Sequence, residues 1–262
     1  MTEGPERLAG VLLDLGGVIY VGDRRLSGAL DALDRLKDAG LPLRFLTNTT
    51  RTSQRAMLEK LRRMGLDVRP EELFMPALAA RQVLHREGLS PHLLVHPALE
   101  EDFDGDWGDA GTAVVIGDAA DGFTYKAMNS AFRALEDGAQ FLALARNRSF
   151  QDSDGKLSLD AGAFVAALEY ASGREAMVLG KPASAFFGAA LENLGLGAGE
   201  VVMVGDDVES DVAGAQAAGI KGILVRTGKY RPGDEDRITP PPDAVVADIS
   251  AAVTRILEWR AA

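Results

Sequence analysis

The sequence predicts an α/β fold: a parallel-sheet core with a second α/β segment inserted into it. Short β-branched or Leu-rich runs alternate with longer segments of helical period, which is the pattern of parallel strands joined by crossover helices. Most of the short runs are apolar throughout, as strands covered on both faces must be. Soft boundaries at Phe74 to Ala77 and Gly173 to Ala176 set off the stretch between them. In chain order the strand candidates are GVLLDL near Val11, LRFLTN near Phe45, HLLVH near Leu94, AVVIGD near Val115, FLALA near Leu142, MVLGK near Leu179, VVMVGDD near Met203 and GILVRT near Leu224. Between them, Ala29, Leu30, Leu33 and Leu36, and again Met57, Leu58, Leu61 and Met64, recur at three- and four-residue spacing and predict helices that pack by one stripe. Pro182, and Ser210 or Asp211 before an Ala-rich stretch, predict helix starts.

Composition narrows the classes of protein this can be. The 262 residues include 28 Lys or Arg and 39 Asp or Glu, for a net charge of −11, and 47% are hydrophobic. Such a chain can bury a sizeable core, so disorder is not expected, and its charge disfavours nucleic acid, whose phosphates reward a basic patch. The basic cluster Lys60, Arg62 and Arg63 reads as a solvated helix face. With no Cys, disulfides, zinc thiolate sites and thiol nucleophiles are excluded. No apolar run nears the roughly 20 residues of a membrane span, and Met1 to Gly10 has no signal-like apolar stretch, so no membrane partner and a cytoplasmic location are expected. No repeat of fixed period appears.

Four strand ends carry polar residues: Asp14, then Thr47 with Asn48, then Lys181, then Asp206 with Asp207. In a parallel sheet such ends converge on one crevice, where ligands bind. Their chemistry is consistent. Asp14, Asp206 and Asp211 offer hard carboxylate oxygens that suit Mg²⁺, while Lys181, the Thr47 hydroxyl, the Asn48 amide and backbone N–H groups suit phosphoryl oxygens. There is no G-x-x-x-x-G-K-S/T loop, so a Walker-type nucleotide hydrolase is disfavoured.

DLGGVIY at Asp14, LTNTT at Thr47, GKP at Lys181 and GDDVESD at Asp206 resemble, in order and spacing, the four motifs of the haloacid dehalogenase superfamily. The wide gap between the second and third motifs resembles the subgroup with a large α/β cap, to which p-nitrophenyl phosphatases and NagD-type nucleotidases belong. GFTYKAMNSAFRAL, FVAALEYASG, GKPASAFFGAAL and VRTGKYRPGDE extend the similarity over nearly the whole chain. The resemblance implies a Rossmann-like core at 1–77 and 178–262 with a cap at 78–177. It also implies a Mg²⁺-dependent phosphatase of small phosphorylated compounds, a homodimer through the cap. Asp14 would be the nucleophile that becomes an aspartyl-phosphate, and Asp14, Leu15, Gly16, Thr47, Asn48 and Lys181 would hold the phosphoryl group. Asp14, the Gly16 carbonyl and Asp206 would ligate Mg²⁺ with Asp211 behind them; Asp207 receives no role.

One position departs from the pattern. The family usually has a second Asp two residues after the nucleophile, serving as general acid and then base, where this chain has Gly16. Loss of such a group is worth about 10²- to 10⁴-fold where the leaving group needs a proton. Gly16 therefore points to leaving groups that need little acid help: pyrophosphate, aryl or acyl phosphates, and phosphoramidates already protonated on nitrogen, as in phospholysine or phosphohistidine. It also leaves open a low-activity or inactive phosphate-binding regulator on the same fold, and carbon–halogen or carbon–phosphorus cleavage, against which the cap argues. His85, His92 and His96 lack the H-E-x-x-H arrangement and receive no role. Gly195, Gly197 and Gly199 precede a strand and so read as a helix-ending loop. The acidic segments Asp102 to Gly111 and Ser149 to Lys156 lack EF-hand spacing and read as surface turns. Arg146, Asn147 and Arg148 are candidates for substrate choice by the cap.

Overall fold

A computed structural model describes residues 7–151 and 156–261. Strand β1 (Gly10–Asp14) is apolar up to its last residue and buried at every position, as a central parallel strand must be. A tight turn leads into a small antiparallel hairpin, β2 (Tyr20–Val21) with β3 (Arg24–Arg25), and then to α1 (Ala29–Asp38), which buries Ala29, Ala32, Leu33 and Leu36 along one stripe. The chain continues through β4 (Leu43–Leu46), α2 (Gln54–Arg63), β5 (Leu73–Phe74) and α3 (Pro76–Glu87), the last opened by Pro76 and closed by Gly88 in the left-handed region. Next come β6 (Leu89–Leu94), β7 (Gly111–Ile116), α4 (Tyr125–Glu136), β8 (Gln140–Ala143), the hairpin β9 (Ser149–Gln151) with β10 (Leu157–Leu159), and α5 (Ala161–Ser172). The rest is β11 (Met177–Val178), α6 (Ser184–Leu194), β12 (Val201–Gly205), the short α7 (Gly214–Ala217), β13 (Lys221–Val225), β14 (Ala244–Val246) and α8 (Ile249–Ala261).

Two compact units result: Met1–Thr47 with Leu58–Phe74 and Phe187–Ala262, and Asn48–Met57 with Met75–Phe186. The first contains a six-stranded, wholly parallel sheet in the order β14-β13-β12-β1-β4-β5. From β1 the chain steps outward through β4 to β5, and later builds β12, β13 and β14 on the other side. Strand order therefore reverses at β1, and the carboxyl ends beside such a reversal are where α/β sheets bind ligands. Leu12, Leu13, Phe45, Val204 and Ile223 are buried in this sheet.

The second unit holds a four-stranded parallel sheet in the order β11-β8-β7-β6. Val114, Ile116 and Phe141 of its strands form one core with Ala131 and Leu135 of α4 and Val165 and Leu168 of α5. The Phe123 and Phe164 rings stack at 3.6 Å between centroids. Side chains fix both helix starts: the Thr124 hydroxyl accepts from Ala127 N–H, and Asp160 accepts from Ala161 N–H.

Every strand candidate from the sequence carries a strand, although MVLGK contributes only two residues. The sequence pattern does not show the two hairpins, β5 or β14, because two or three residues are too few to show a period. The helix after Lys181 starts at Ser184, beyond a cis Lys181–Pro182 peptide. After β12 the helical turn begins at Val208, earlier than expected, because the Asp207 carboxylate accepts from Glu209 and Ser210 N–H and caps it there. Asp211 consequently lies inside that turn. The surface-turn reading of the acidic segments also needs correcting. Asp102 is buried, both its oxygens facing Gln54 N–H, and Ser149–Gln151 is a strand, while residues 152–155 lie outside the described residues.

Candidate active site

Asp14 ends β1 and Asp206 follows β12, and these neighbours pair in register, Leu13 beside Val204. The two carboxylates therefore leave adjacent strands at the same sheet edge. Asp211 joins them from the turn after β12: one ligand oxygen from each of Asp14, Asp206 and Asp211 lies within 4.8 Å of the others, and all three side chains are buried. Hydrogen bonds aim two of them. Lys229 N–H donates to Asp206 Oδ2 at 2.6 Å, and Asp207 N–H donates to Asp211 Oδ2 at 3.1 Å.

Glycines make the crowding possible. A Cβ on Gly17, whose φ is +82°, would fall 1.9 Å from Asp206 Oδ2, and one on Gly205 would fall 2.1 Å from Asp211 Cβ. Three buried carboxylates repel one another unless a cation joins them, and their oxygens are the hard donors that Mg²⁺ takes. The donor set fits that ion.

The turn after Asp14 is tightly bonded. Leu15 is buried and its carbonyl accepts from Ile19 and Tyr20 N–H, while Gly17 N–H donates to Tyr20 O at 2.7 Å and the Thr227 hydroxyl donates to Gly17 O at 2.5 Å. Gly16, by contrast, is exposed. Its backbone lies outside the left-handed region, and a Cβ there would meet nothing nearer than Asp14 Oδ2 at 3.9 Å. Thr47 follows β4, the strand on the other side of β1, so Asp206, Asp14 and Thr47 leave three consecutive strands.

Asp207, without a role in the sequence reading, pairs with Lys229, Nζ to Oδ2 at 3.3 Å. Burial pushes its carboxyl up, but Ser210 N–H and the Lys229 ammonium outweigh burial and hold it below the usual carboxylate range. Burial likewise pulls the Lys229 ammonium down, and the carboxylates of Asp207, Asp206 and Asp211 together raise it. Lys229 and Thr227 lie in the loop after β13, where Lys229 reaches Asp206 through its backbone N–H and Thr227 reaches the Gly17 carbonyl.

In the second unit Asn48 and Lys181 form one piece. Asn48 Nδ2 donates to Lys181 O and Lys181 N–H donates to Asn48 Oδ1, both at 2.8 Å, and Lys181 is buried. Gly180 permits this fit, since a Cβ there would fall 2.5 Å from Leu144 O. On the same loop as Asn48, Arg51 Nε donates to buried Asp118 at 2.5 Å and its guanidinium lies over the Phe150 ring. Burial pushes the Asp102 carboxyl up to about 6, against the opposing Gln54 N–H and with help from neighbouring Glu101. Arg146 pairs with Glu169 at 2.6 Å, and with Arg148 it lines a pocket of about 620 Å³ against Leu159, Ala163 and Ala166. His85 stacks on Trp107, His96 caps a short 3₁₀ segment and His92 sits in β6. Gly195, at φ +73°, ends α6 as the sequence reading expects.

A carboxylate cluster beside the strand-order reversal of a parallel sheet defines an α/β protein equipped to hold a cation and an anion at one sheet edge. Comparison with known proteins gives the family. A sequence profile for haloacid dehalogenase-like hydrolases matches residues 11–107, and a second, for HAD-hydrolase-like proteins, matches residues 178–252. The zebrafish (Danio rerio) phospholysine phosphohistidine inorganic pyrophosphate phosphatase is 47% identical over 96% of this chain and 95% of its own. The human haloacid dehalogenase-like hydrolase domain-containing protein 2 is 44% identical over 96% of each. Among solved structures, p-nitrophenyl phosphatase from Archaeoglobus fulgidus has a TM-score of 0.82 at 28% identity, covering 96% of this chain and 100% of that one. NagD from E. coli has a TM-score of 0.80 at 25% identity, covering 93% and 98%. This chain belongs to the haloacid dehalogenase-like hydrolase family, in the subgroup of NagD and the p-nitrophenyl phosphatases.

Of the described residues, no helix is long and apolar enough to cross a membrane.

Proposed function

We propose that the chain, a phosphatase of this family, hydrolyses small phosphorylated compounds through an aspartyl-phosphate formed on Asp14. The observation that carries this reading is the cluster of Asp14, Asp206 and Asp211 at the edge where β1 and β12 end. An Asp14 carboxylate oxygen attacks phosphorus, and the leaving group departs with its electron pair. Water then attacks the acyl phosphate, which restores Asp14 and releases orthophosphate. Splitting the displacement in two gives each step an accessible barrier. Asp14, Asp206 and the Gly16 carbonyl, with Asp211 behind them, would hold Mg²⁺, which would supply the positive charge that lets a phosphate dianion approach the carboxylates.

Lys181, the Thr47 hydroxyl and the Gly16 N–H hold the phosphoryl oxygens, whereas the Leu15 N–H donates to the Leu46 carbonyl at 3.2 Å. Asn48 contributes through Lys181, whose backbone it grips on both sides, and keeps a second Nδ2 hydrogen for a phosphoryl oxygen. Residues 78–177 act as the cap that sets substrate choice, and two copies pair through it as a homodimer.

Gly16 narrows the substrate. With no acid two residues after the nucleophile, leaving groups that need no proton are favoured: pyrophosphate, aryl phosphates, and phosphoramidates protonated on nitrogen. The 47% identity to a phosphatase named for phospholysine, phosphohistidine and inorganic pyrophosphate supports this choice. The same glycine favours one second reading, a phosphate-binding regulator with little turnover. Purified protein assayed on p-nitrophenyl phosphate, pyrophosphate and phospholysine, with Mg²⁺ and with chelator, decides between them. Metal-dependent turnover that Asp14→Asn abolishes supports the enzyme; orthophosphate binding without turnover on any of the three supports the regulator.

A further inference from the structure

The chain carries a net charge of −11, yet one pocket of its first unit is lined by Arg24, Arg25, Lys60 and Arg63 with a single carboxylate, Asp23. Its volume is about 640 Å³, and Met64 is the one apolar residue in its lining. The β2–β3 hairpin forms one wall, and the last turn of α2 with the residue after it forms the other.

The fold accounts for two of the four cations. Arg25 donates to the Met64 carbonyl at 2.5 Å, satisfying a backbone acceptor just past the end of α2, where helical carbonyls lack partners. Lys60 is held between Asp23, at 3.4 Å, and the Tyr20 ring, at 4.8 Å. The other two have no such explanation: of the described residues, none gives the side chain of Arg24 or of Arg63 a hydrogen bond or an ion pair. Lys60 and Arg63 are like charges one helical turn apart, which by itself destabilises α2 slightly. An anion in the pocket relieves that repulsion.

The lining also limits what the anion is. Met64 is the one apolar residue of the lining and Lys60 lies over the neighbouring Tyr20 ring, so the pocket offers charge and no apolar or aromatic cleft for a nucleoside base. Guanidinium forks match the paired oxygens of phosphate, and unpaired forks from opposite walls call for at least two oxyanion groups in one compact molecule. We propose that this pocket is a second anion site, separate from the carboxylate cluster, which binds an inorganic polyphosphate of two or more phosphoryl groups.

The probe is tripolyphosphate, titrated calorimetrically into the full chain in the presence of chelator, where the three carboxylates repel anions. One equivalent is expected to bind, with affinity falling steeply as salt rises. The double variant Arg24→Gln and Arg63→Gln should weaken binding at least tenfold, since two charge-assisted contacts are lost. Its melting temperature should not change, because neither side chain has a partner to lose. Asp206→Asn, which alters the carboxylate cluster, should leave the affinity in place. Absence of binding, equal affinity in the double variant, or loss of binding on Asp206→Asn overturns the proposal. Citrate binding as tightly as tripolyphosphate overturns the assignment to phosphate.

Discussion

Replacing Gly16 by Asp tests the link between this glycine and substrate choice. The position tolerates the change: Gly16 is exposed, its φ lies outside the left-handed region, and the nearest atom to a new Cβ is Asp14 Oδ2 at 3.9 Å. The neighbouring Gly17 is the contrast, since a Cβ there would fall 1.9 Å from Asp206 Oδ2, so Gly17→Ala should disrupt the cluster. A carboxyl introduced at 16 would lie beside Asp14, whose negative charge repels it. That repulsion raises the pKa of the new carboxyl and favours its protonated form. The new group would then supply the missing proton. In single-turnover assays on a series of aryl and alkyl phosphates, native protein should slow steeply as leaving-group pKa rises. Gly16→Asp should flatten that dependence, with gains of about 10²- to 10⁴-fold for alkyl phosphates and little change for pyrophosphate. If native protein transfers phosphoryl groups from alkyl and aryl esters equally fast, another residue supplies the proton and the reasoning about Gly16 fails.

Asp14→Asn keeps the size of the side chain but removes the anionic nucleophile; turnover of p-nitrophenyl phosphate should fall to background with the fold intact by circular dichroism. Asn48→Ala removes both hydrogen bonds to the Lys181 backbone, which should cost about 2 kcal/mol or more and be read as a lower melting temperature, with Asn48→Asp, which keeps the acceptor for Lys181 N–H, recovering part of it. Asp102 gives a pH signature: burial raises its folded pKa to about 6, above an unfolded value of 3.8, so its stabilising contribution is complete below about pH 4 and is lost as pH rises through 6. Melting curves between pH 4 and pH 8 should show that loss in native protein, on the order of 1–3 kcal/mol, and a smaller one in Asp102→Asn. Light scattering should give twice the chain mass for the proposed homodimer, and a monomer at every concentration would remove it.

How much of this was legible in the sequence depends on what kind of group does the work. β1, β4, β12 and β13 announce themselves because central parallel strands are apolar on both faces, and the direction such strands run puts Asp14 and Asp206 on one sheet edge, while their adjacency comes from the strand order. Side-chain identity at a strand end is a strong signal. The groups that aim those side chains are mostly backbone atoms, which every residue possesses: Lys229 N–H on Asp206, Asp207 N–H on Asp211, and the Gly17 carbonyl under Thr227. Sequence pattern cannot separate such an N–H from any other. Asn48 shows a subtler case, because its residue type points toward phosphate while its oxygen and one N–H go to the Lys181 backbone, which lies 133 residues away. Asp207 shows the converse: a side chain without a role in the motif fixes where the helical turn begins and so puts Asp211 inside it. The basic residues near Lys60 differ again. Periodicity gives their helix face correctly, but only the hairpin brings Arg24 and Arg25 opposite that face, and its two-residue strands are too short to be read as a pattern. Long apolar strands are thus written in residue type, whereas a pocket walled by a short hairpin emerges only once the chain has folded.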